Sequence, residues 1–374
     1  MELAHLRHLL LTLSTAFLLS ACFDDGGSGS DDALTGQIQS RGISGLTYTT
    51  SSRQNTTDAQ GRFQYYPGET LSLKVGALSI AENIPAKAFV SFLDFQPELR
   101  DALETAKIDS QNLSDHALTE SSLLNNQELL NRTRFLMALN WTEIIQDSKG
   151  IDIRHRVIDQ LNAAINDPAL PSEVDFAIPT AEFEAPESAA NQLLASICFY
   201  EKDDQLCQQP PTLTDIESAP ERPDNDEEID PDTTYKQDLK ALRERILQSV
   251  RSIEDIDTQG AKEYLTKELA GITNAISRQY YLSGHAASHP ASDTALKPLS
   301  IRKVGGDIAL AKNGIEAIST RPQDVSVHTW SWQEASVEYF VDGSAGSESE
   351  ILINFKPAKD YRWIRKSLRV LVTE

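Results

Sequence analysis

Short runs in which apolar and polar residues alternate occupy residues 34–80, and turn-forming residues separate these runs. Leu46 and Tyr48 lie two positions apart, and the segment 71–75 is apolar at every second position. Alternation of this kind is typical of strands that bury one face. We therefore predict a β module over residues 34–80, built as a small sandwich of about four strands.

One turn inside this module has a recognisable chemistry. Asp58 and Gly61 lie within Thr57-Asp58-Ala59-Gln60-Gly61, and the alternation resumes at Phe63. An Asp side chain accepts backbone N–H groups at the start of a turn, and Gly adopts a positive φ at its end. We expect Asp58 and Gly61 to form the turn and Phe63 to point into the core.

Between residues 81 and 200 the apolar period lengthens to that of helices. The two clearest stripes are Val157, Ile158, Leu161, Ala164 and Ile165, before Asp167-Pro168, and Ala190, Leu193, Leu194 and Ile197, after Pro186-Glu187-Ser188. These stripes, with breaking and capping residues beside them, predict a helical domain over residues 81–200.

The rest of the chain divides into three parts. Residues 201–234 include twelve acidic residues, two basic residues and five prolines, a composition that favours an extended or disordered linker. Residues 235–284 carry two apolar helical seams around a short turn, which predict an antiparallel helical hairpin. Residues 285–374 alternate again and predict an antiparallel β-sheet. The predicted fold class is modular α+β.

Composition excludes several classes of function. The chain has 374 residues, 34 Lys+Arg and 56 Asp+Glu, for a net charge of −22. Nucleic-acid binding is excluded because it requires basic residues opposite the phosphates. The segment 356–374 is locally basic. It is either an ordinary solvated strand face or a patch that meets the acidic linker or a polyanion such as lipopolysaccharide phosphate.

The first residues have the pattern of a bacterial export signal. Arg7 precedes an apolar run of about 11 residues, which is too short to span a bilayer. The run ends in Leu19-Ser20-Ala21-Cys22, which resembles the lipobox of bacterial lipoproteins. This resemblance implies a signal peptide over 1–21, recognised by its peptidase at Leu19, Ser20 and Ala21. The alternative is an ordinary secretory signal in which Cys22 is incidental.

The lipoprotein resemblance implies a location. Cys22 would carry diacylglycerol and an N-acyl chain, and these chains would anchor the protein in the lipid bilayer. Phe23 stands where an Asp would retain a lipoprotein at the inner membrane, so the resemblance implies the outer membrane, on its periplasmic or surface face. Residues 22–33 are then the lipidated Cys and a flexible tether.

The β module carries a second resemblance. Gly45-Leu46-x-Tyr48, Thr57-Asp58-x-x-Gly61-x-Phe63-x-Tyr65 and Gly68-Glu69-Thr70-x-x-x-x-Val75-Gly76 are similar to a β module at the N-terminus of proteobacterial lipoproteins. That module is similar to the carboxypeptidase-regulatory-like and adhesin-like folds. The resemblance implies a non-catalytic spacer or surface-binding unit.

The resemblance extends weakly into the helical domain. Relatives there have a helix end followed by acidic residues and Asn-Gly-Ile, and this chain keeps Gly150-Ile151-x-Ile153. Only Asp147 and Glu143 are left as calcium ligands, too few for a calcium site. We expect Gly150 to cap a helix instead.

Cys198 and Cys207 are the only cysteines besides Cys22. An oxidising compartment favours a disulfide between them. A thioredoxin-like site would need two intervening residues, and no His or third Cys lies nearby to complete a metal site.

Known catalytic motifs are missing from the sequence. It contains no GxSxG, HExxH, Walker A or GxGxxG pattern. His285 and His289 are weak candidates for zinc ligands, with Asp293 as a third. The flanking Gly284 and Pro290 place the histidines in a loop, so we expect no metal site there and no cofactor other than the lipid.

The sequence therefore predicts a lipid-anchored envelope protein that is not an enzyme, with a structural or adhesin-like binding role. Its expected partners are the bilayer, other envelope proteins and polysaccharide. One alternative is a periplasmic solute-binding or transport-accessory lipoprotein with an apolar pocket between the helical and C-terminal parts, using Trp330 and Trp332. A lower-ranked alternative is a metal-dependent hydrolase using His285 and His289.

Overall fold

Eight short strands form the beginning of the structure. The computed structural model describes residues 32–374, and the predicted signal peptide, Cys22 and most of the tether lie outside the described residues. The strands are β1 (Leu34–Ile38), β2 (Ile43–Ser44), β3 (Thr47–Thr49), β4 (Gln54–Thr56), β5 (Arg62–Tyr65), β6 (Thr70–Val75), β7 (Leu78–Pro85) and β8 (Phe89–Val90).

Most of these strands pair into two small sheets, in the orders β5-β1-β8 and β4-β3-β6-β7. Strand β1 runs antiparallel to β5 and parallel to β8. The rings of Tyr48 on β3 and Phe63 on β5 lie 6.0 Å apart, and both are buried, so the two sheets face a common core. Leu71, Leu73 and Val75 on β6 are buried in the same core, as their alternation indicates.

Nine α-helices follow within the described part of the chain. They are α1 (Pro97–Leu103), α2 (His116–Leu123), α3 (Gln127–Ala138), α4 (His155–Ile165), α5 (Thr180–Glu184), α6 (Ala189–Ala195), α7 (Leu213–Ser218), α8 (Lys236–Gln248) and α9 (Thr258–Ser277). Short 3₁₀ turns occur at Phe92–Phe95, Gln205–Cys207, Asp226–Glu228 and Ile253–Asp255. The stripe on α4 buries Val157, Leu161 and Ala164, and the helix ends before Asp167-Pro168.

One hydrophobic core joins the first strands to the helices. It contains residues of the predicted β module, such as Ile38 and Leu73, together with Phe135 on α3, Leu193 on α6 and Leu265 on α9. The strands are two to eight residues long, and sheets this small need a packed partner to bury enough apolar surface. Residues 34–80 and 81–200 thus share a core in the structure.

The acidic segment 201–234 is not an extended chain in the structure. It contains α7, whose first turn has a capping box between Thr212 and Asp215. Ile216 on α7 is buried, and α7 packs against α8. Salt bridges join the segment to α8, including Arg222 with Asp238 at 3.0 Å. One buried apolar anchor and these pairings hold the segment on α8, despite its acidic composition.

Helices α8 and α9 form at the two predicted seams, but they do not pack along each other. Helix α8 contacts mainly α7 and the 3₁₀ turn at Gln205–Cys207, whereas α9 contacts α2, α3 and β19 (Ile364–Thr373). On α8 only Ile246 is fully buried, and the seam residues Leu239 and Leu242 are partly buried. The seam on α9 is buried instead by the bundle and the C-terminal sheets, which offer more apolar surface.

The remaining strands build a C-terminal β-sandwich. Its strands are β12 (Tyr280–Leu282), β13 (Ala286–Pro290), β14 (Lys297–Lys303), β15 (Leu310–Ser319), β16 (Val325–Ser331), β17 (Ser336–Val341), β18 (Glu348–Pro357) and β19. Three short strands earlier in the chain, β9 (Lys107–Ile108), β10 (Ser114–Asp115) and β11 (Ile151–Asp152), form small two-stranded ladders. The two sheets have the orders β12-β14-β17-β16 and β13-β19-β18-β15. Within this sandwich, only β13 runs parallel to its neighbour, β19.

A second hydrophobic core fills the sandwich. It contains Val337 and Phe355 from the two sheets, and also Ile272 and Ile276 from the end of α9. Because Leu265 and Leu269 of α9 belong to the first core, this one helix contributes to both. The predicted α+β fold class is confirmed: strands come first, helices occupy the middle, and antiparallel sheets end the chain.

A buried ionic cluster lies where the C-terminal part meets the helices. Arg362 is fully buried, and its Nε lies 3.3 Å from Glu120 on α2. The Tyr361 hydroxyl donates to the same carboxylate at 2.6 Å. The ring of His116 accepts the backbone N–H of Trp363 at 3.2 Å through Nδ1. These partners fix the start of α2 to the segment before β19.

Candidate functional site

The predicted disulfide is present in the structure. Cys198 and Cys207 are bonded, with their Cα atoms 5.4 Å apart. The bond closes a loop that ends in the 3₁₀ turn Gln205–Cys207. Arg156 on α4 donates a hydrogen bond to the Cys207 sulfur at 3.4 Å. Leu19, Ser20, Ala21 and Cys22, the predicted processing and lipidation residues, lie outside the described residues.

The turn at Asp58 has the geometry expected for its sequence. The Asp58 carboxylate accepts the backbone N–H groups of Gln60 and Arg62, both at 3.0 Å. Gly61 has a φ of +69°, and a Cβ atom there would lie 2.5 Å from the backbone nitrogen of Ile43. Phe63 is buried. This turn is therefore a packing element of the first strands.

The two weak zinc candidates lie on extended backbone rather than in a loop. His289 belongs to β13, and His285 directly precedes that strand. Four residues of extended chain span about 13 Å, so this spacing does not bring the two rings onto one ion as it would on a helix. The Nε2 atom of His289 is 2.9 Å from the Tyr339 hydroxyl. Among residues 32–374, no group of three or more metal-ligating side chains is close enough to hold an ion.

Trp330 and Trp332 lie apart from the cleft at the junction of the helical and C-terminal parts, whose tryptophan is Trp363. Trp330 is nearly half exposed on β16, at the edge of its sheet, and Trp332 packs against the sandwich core. The cleft at that junction has a volume of about 260 Å³ and is lined mainly by polar groups, including His116 and Asn354. It is small and polar, unlike the apolar pocket that the solute-binding alternative requires.

The basic segment 356–374 is largely paired within the chain. Lys356 forms a salt bridge with Glu104 at 3.0 Å, and Arg365 forms one with Asp109 at 2.7 Å. Arg369 donates two hydrogen bonds to Glu348, one to each carboxylate oxygen. Arg362 is buried. The charges of this segment therefore lie opposite carboxylates of neighbouring elements, as expected for an ordinary strand face.

Three connected clefts form a groove on the described part of the chain. The first cleft, about 600 Å³, lies beside the disulfide loop and the end of α8. The second, about 320 Å³, lies between the end of α3 and the segment 248–256. The third, about 400 Å³, lies between the loop 143–147 and the first turns of α9. Neighbouring clefts share lining residues, so the groove is continuous.

We call the second and third clefts together the acidic groove, defined by Glu143, Ile144, Val250, Asp255, Asp257 and Glu263. Five carboxylates line it, those of Glu143, Asp255, Asp257, Glu263 and Asp147. The basic groups in its lining are Arg41, Arg251 and Lys267. Asp147 is paired with Lys267 at 2.7 Å, and this contact lowers the pKa of the Asp147 carboxyl. The other four carboxylates form no salt bridge with any described residue.

Two of those four carboxylates shape the groove through backbone contacts. Asp257 is the N-cap of α9 and accepts the backbone N–H of Gly260. Asp255 accepts the backbone N–H of Ser252 at 2.7 Å in the preceding 3₁₀ turn. By contrast, the Glu143 carboxylate has no hydrogen-bond partner among the described residues, and Glu263 has only Gln259, at 2.9 Å. Glu143 and Glu263 are therefore available to a ligand.

Arg251 fixes one wall of the groove. Its guanidinium donates to the carbonyl oxygens of Ala138, Asn140 and Trp141, and it stacks 3.7 Å above the ring of Phe199. Burial lowers the pKa of Arg251. Because its donors are directed to the end of α3, this residue holds the start of the loop 141–150 against the segment after α8.

Glu268 fixes the opposite end. It is fully buried on α9 and accepts the backbone N–H groups of Ser40, at 2.6 Å, and Arg41, at 3.0 Å. Arg41 also pairs with Glu268 through its side chain and lies 5.2 Å above the ring of Tyr264. Burial raises the pKa of the Tyr264 hydroxyl well above its usual value. The groove thus ends at a rigid contact between α9 and the turn after β1.

Apolar side chains lie among the carboxylates. Ile144 is 78% exposed in the loop, and Val250 is 40% exposed on the facing segment. Met137, Ile145 and Ile256 are partly buried along the same surface. These five apolar side chains line the same two clefts as the carboxylates, and apolar side chains grouped in a concave surface are typical of binding sites.

The sequence patterns do not identify this groove. The pattern of residues 139–153 predicts a helix end with Gly150 as its C-cap, but α3 ends at Ala138 with Leu139 as its cap residue. Gly150 instead packs on the turn after β1, where a Cβ atom would lie 1.8 Å from the Gly42 carbonyl oxygen. The groove combines residues from three distant stretches of chain, and no local pattern connects them.

Comparisons with known proteins define no family for this chain. No protein-family model and no curated protein matches it. One solved structure, described as the crystal structure of the S-layer protein SbsC domains 4 and 5, aligns with 25% of this chain at 13% identity and a TM-score of 0.18. The chain spans about half, 51%, of that structure. A similarity this low supports no conclusion about fold or function.

Within residues 32–374, no helix is long and apolar enough to cross a membrane.

Proposed function

We propose that this protein is a lipid-anchored component of the bacterial cell envelope with a non-enzymatic binding role of the adhesin-like or structural kind. The acidic groove is its binding site. Cys22 within Leu19-Ser20-Ala21-Cys22 supports the anchor, and the disulfide supports an oxidising compartment. The observation that carries the binding role is the continuous groove, in which exposed Ile144 lies beside Glu143, whose carboxylate forms no hydrogen bond or salt bridge with the described residues.

The geometry favours binding over catalysis. Catalytic sites shift the pKa of an acid or base that faces a cleft, by burial or by a nearby charge. Glu120 and Glu268, which are buried acids, are hydrogen-bonded inside the protein, where they hold elements together. His116, whose pKa is lowered by burial, lines a small cleft, but both of its ring nitrogens are already hydrogen-bonded, to Thr273 and to the backbone N–H of Trp363. The groove itself offers exposed carboxylates and apolar side chains, which are groups that recognise a partner.

A photo-crosslinking experiment in cells tests the binding role. A photoreactive amino acid replaces Ile144 in the full chain, and in a control variant it replaces Val304, which is also exposed and apolar but lies outside the groove. We expect adducts of higher mass from position 144 and far fewer from position 304. Equal adduct yields at the two positions would mean that the groove does not bind a partner.

A further inference from the structure

We propose that the acidic groove binds an extended, basic polypeptide segment that carries apolar side chains between its Lys or Arg residues. This inference rests on the proposed function, because it takes the groove as the binding site and names the chemistry of its ligand.

The lining of the acidic groove carries more carboxylates than basic groups. The groove presents Glu143, Asp255, Asp257 and Glu263 without salt-bridge partners among the described residues, while Lys267 is already paired with Asp147. The guanidinium of Arg251 is directed at three backbone carbonyl groups rather than at a ligand. The surplus is therefore negative. Facing patches of opposite charge accelerate association and select among partners.

The distribution of the charges argues for a chain rather than an ion. Although five carboxylates line the groove, no three metal-ligating groups within residues 32–374 come together around one point. A single divalent cation needs several oxygen ligands at about 2.0–2.6 Å, which separated carboxylates do not supply. Positive charges spaced along a peptide fit separated carboxylates.

The shape and the apolar residues indicate a peptide rather than a glycan. Connected clefts suit an extended segment, and Ile144 and Val250 offer contacts to aliphatic side chains. The aromatic ring at this end of the groove is that of Tyr264, which is buried and covered by Arg41. It offers no open face on which a sugar ring could stack.

Fluorescence anisotropy with labelled synthetic peptides tests the inference. One peptide alternates Lys and Val, and its counterpart replaces every Lys with Glu. Each is titrated with the folded wild-type chain lacking its lipid, and with two charge-reversal variants. The groove variant carries Glu143→Lys and Glu263→Lys. The control variant carries Glu217→Lys and Glu334→Lys, two exposed positions outside the groove, so that both variants have the same net charge.

We expect the Lys-Val peptide to bind the wild type and the control variant with similar Kd values. The groove variant should bind about tenfold more weakly, because two attractive charge pairs with the peptide become repulsive. Ile144→Ser should also weaken binding, and Val304→Ser should not. The Glu-Val peptide should not bind the wild type measurably.

Equal losses in the two charge-reversal variants would overturn the inference, because the peptide would then respond only to the net charge of −22. Binding of a neutral oligosaccharide at Ile144, with no effect of the groove variant on the peptide, would also overturn it. If the peptide fails to bind but crosslinking at position 144 persists in cells, the proposed function stands and only this ligand class is wrong.

Discussion

The carboxylate of Glu268 accepts the backbone N–H of Ser40 at 2.6 Å, across a separation of 228 residues. This contact joins α9, which contributes to both hydrophobic cores, to the turn after the first strand. Glu268 is fully buried. Its carboxylate also accepts hydrogen bonds from the Ser40 hydroxyl and the Arg41 backbone N–H, and it forms a salt bridge with the Arg41 side chain. A carboxylate saturated in this way holds the first strands on the helical part.

Removal of this carboxylate should destabilise the whole fold. Glu268→Ala leaves two backbone N–H groups and the Arg41 guanidinium without their acceptor, which should lower the free energy of unfolding by about 3 kcal/mol. Urea denaturation followed by circular dichroism measures the change. Glu263→Ala, on an exposed face of the same helix, is the matched control and should change stability by less than about 0.5 kcal/mol. Similar losses in the two variants would show that Glu268 is not an anchor.

The disulfide should stabilise the helical part. Closing the short loop between Cys198 and Cys207 should contribute about 2–3 kcal/mol, chiefly by restricting the unfolded chain. We expect the double variant Cys198→Ser/Cys207→Ser to show a lower Tm, and its Tm should not change on addition of dithiothreitol. The wild type should lose stability in the reductant. A wild type that is insensitive to reduction would contradict this assignment.

Glycine at position 61 should be required for the turn after β4. Gly61 and Gly68 both have a positive φ, but only Gly61 is surrounded: a Cβ atom added there would lie 2.5 Å from a backbone nitrogen, whereas one added at Gly68 would meet nothing within 4 Å. Gly68→Ala should cost about 1–2 kcal/mol, the cost of the left-handed backbone alone. Gly61→Ala should cost more, because the backbone must also move. Thermal unfolding compares the two, and equal Tm values would contradict the predicted clash.

The free energy of unfolding should decrease as the pH is lowered from 6.5 to 4, because of His116. Burial and the neighbouring Arg362 lower the pKa of this imidazole from 6.5 to about 4. The unfolded chain therefore binds more protons in this window, and the free energy of unfolding decreases as pH falls, by an amount on the order of 3 kcal/mol.

The variant His116→Gln separates this effect from other titrations. Glu120, whose pKa is raised by burial, has the opposite slope and is present in both proteins. We expect the unfolding free energy of the variant to depend less steeply on pH between 6.5 and 4 than that of the wild type. Parallel pH curves for the two proteins would show that His116 does not titrate in this way.

Local patterns are sufficient for many of the elements and for the fold class. The alternation at Leu71, Leu73 and Val75 indicates β6, and the stripe ending before Asp167-Pro168 indicates α4. In both cases the signal lies within a few residues of the element itself. The turn at Asp58 and the Cys198–Cys207 bond are predictable for the same reason, since their chemistry depends on short spacings.

Associations between distant segments are not predictable in this way. Two successive seams predict a helical hairpin, yet α9 packs against α3 and β19. The composition of the acidic segment predicts an extended chain, yet Ile216 and the contacts to α8 hold it in place. The acidic groove depends on Glu268 binding Ser40 and on Arg251 reaching the end of α3, and neither partner is specified by local spacing.

Lipid attachment at Cys22 is the claim on which the proposed location and role depend. Incorporation of labelled palmitate, measured on the purified full chain after expression in a Gram-negative host, tests it directly. We predict label on the wild type and on the Cys198→Ser/Cys207→Ser control, and no label on Cys22→Ser. An unlabelled wild type, or equal label on the wild type and Cys22→Ser, would contradict the lipid-anchored assignment.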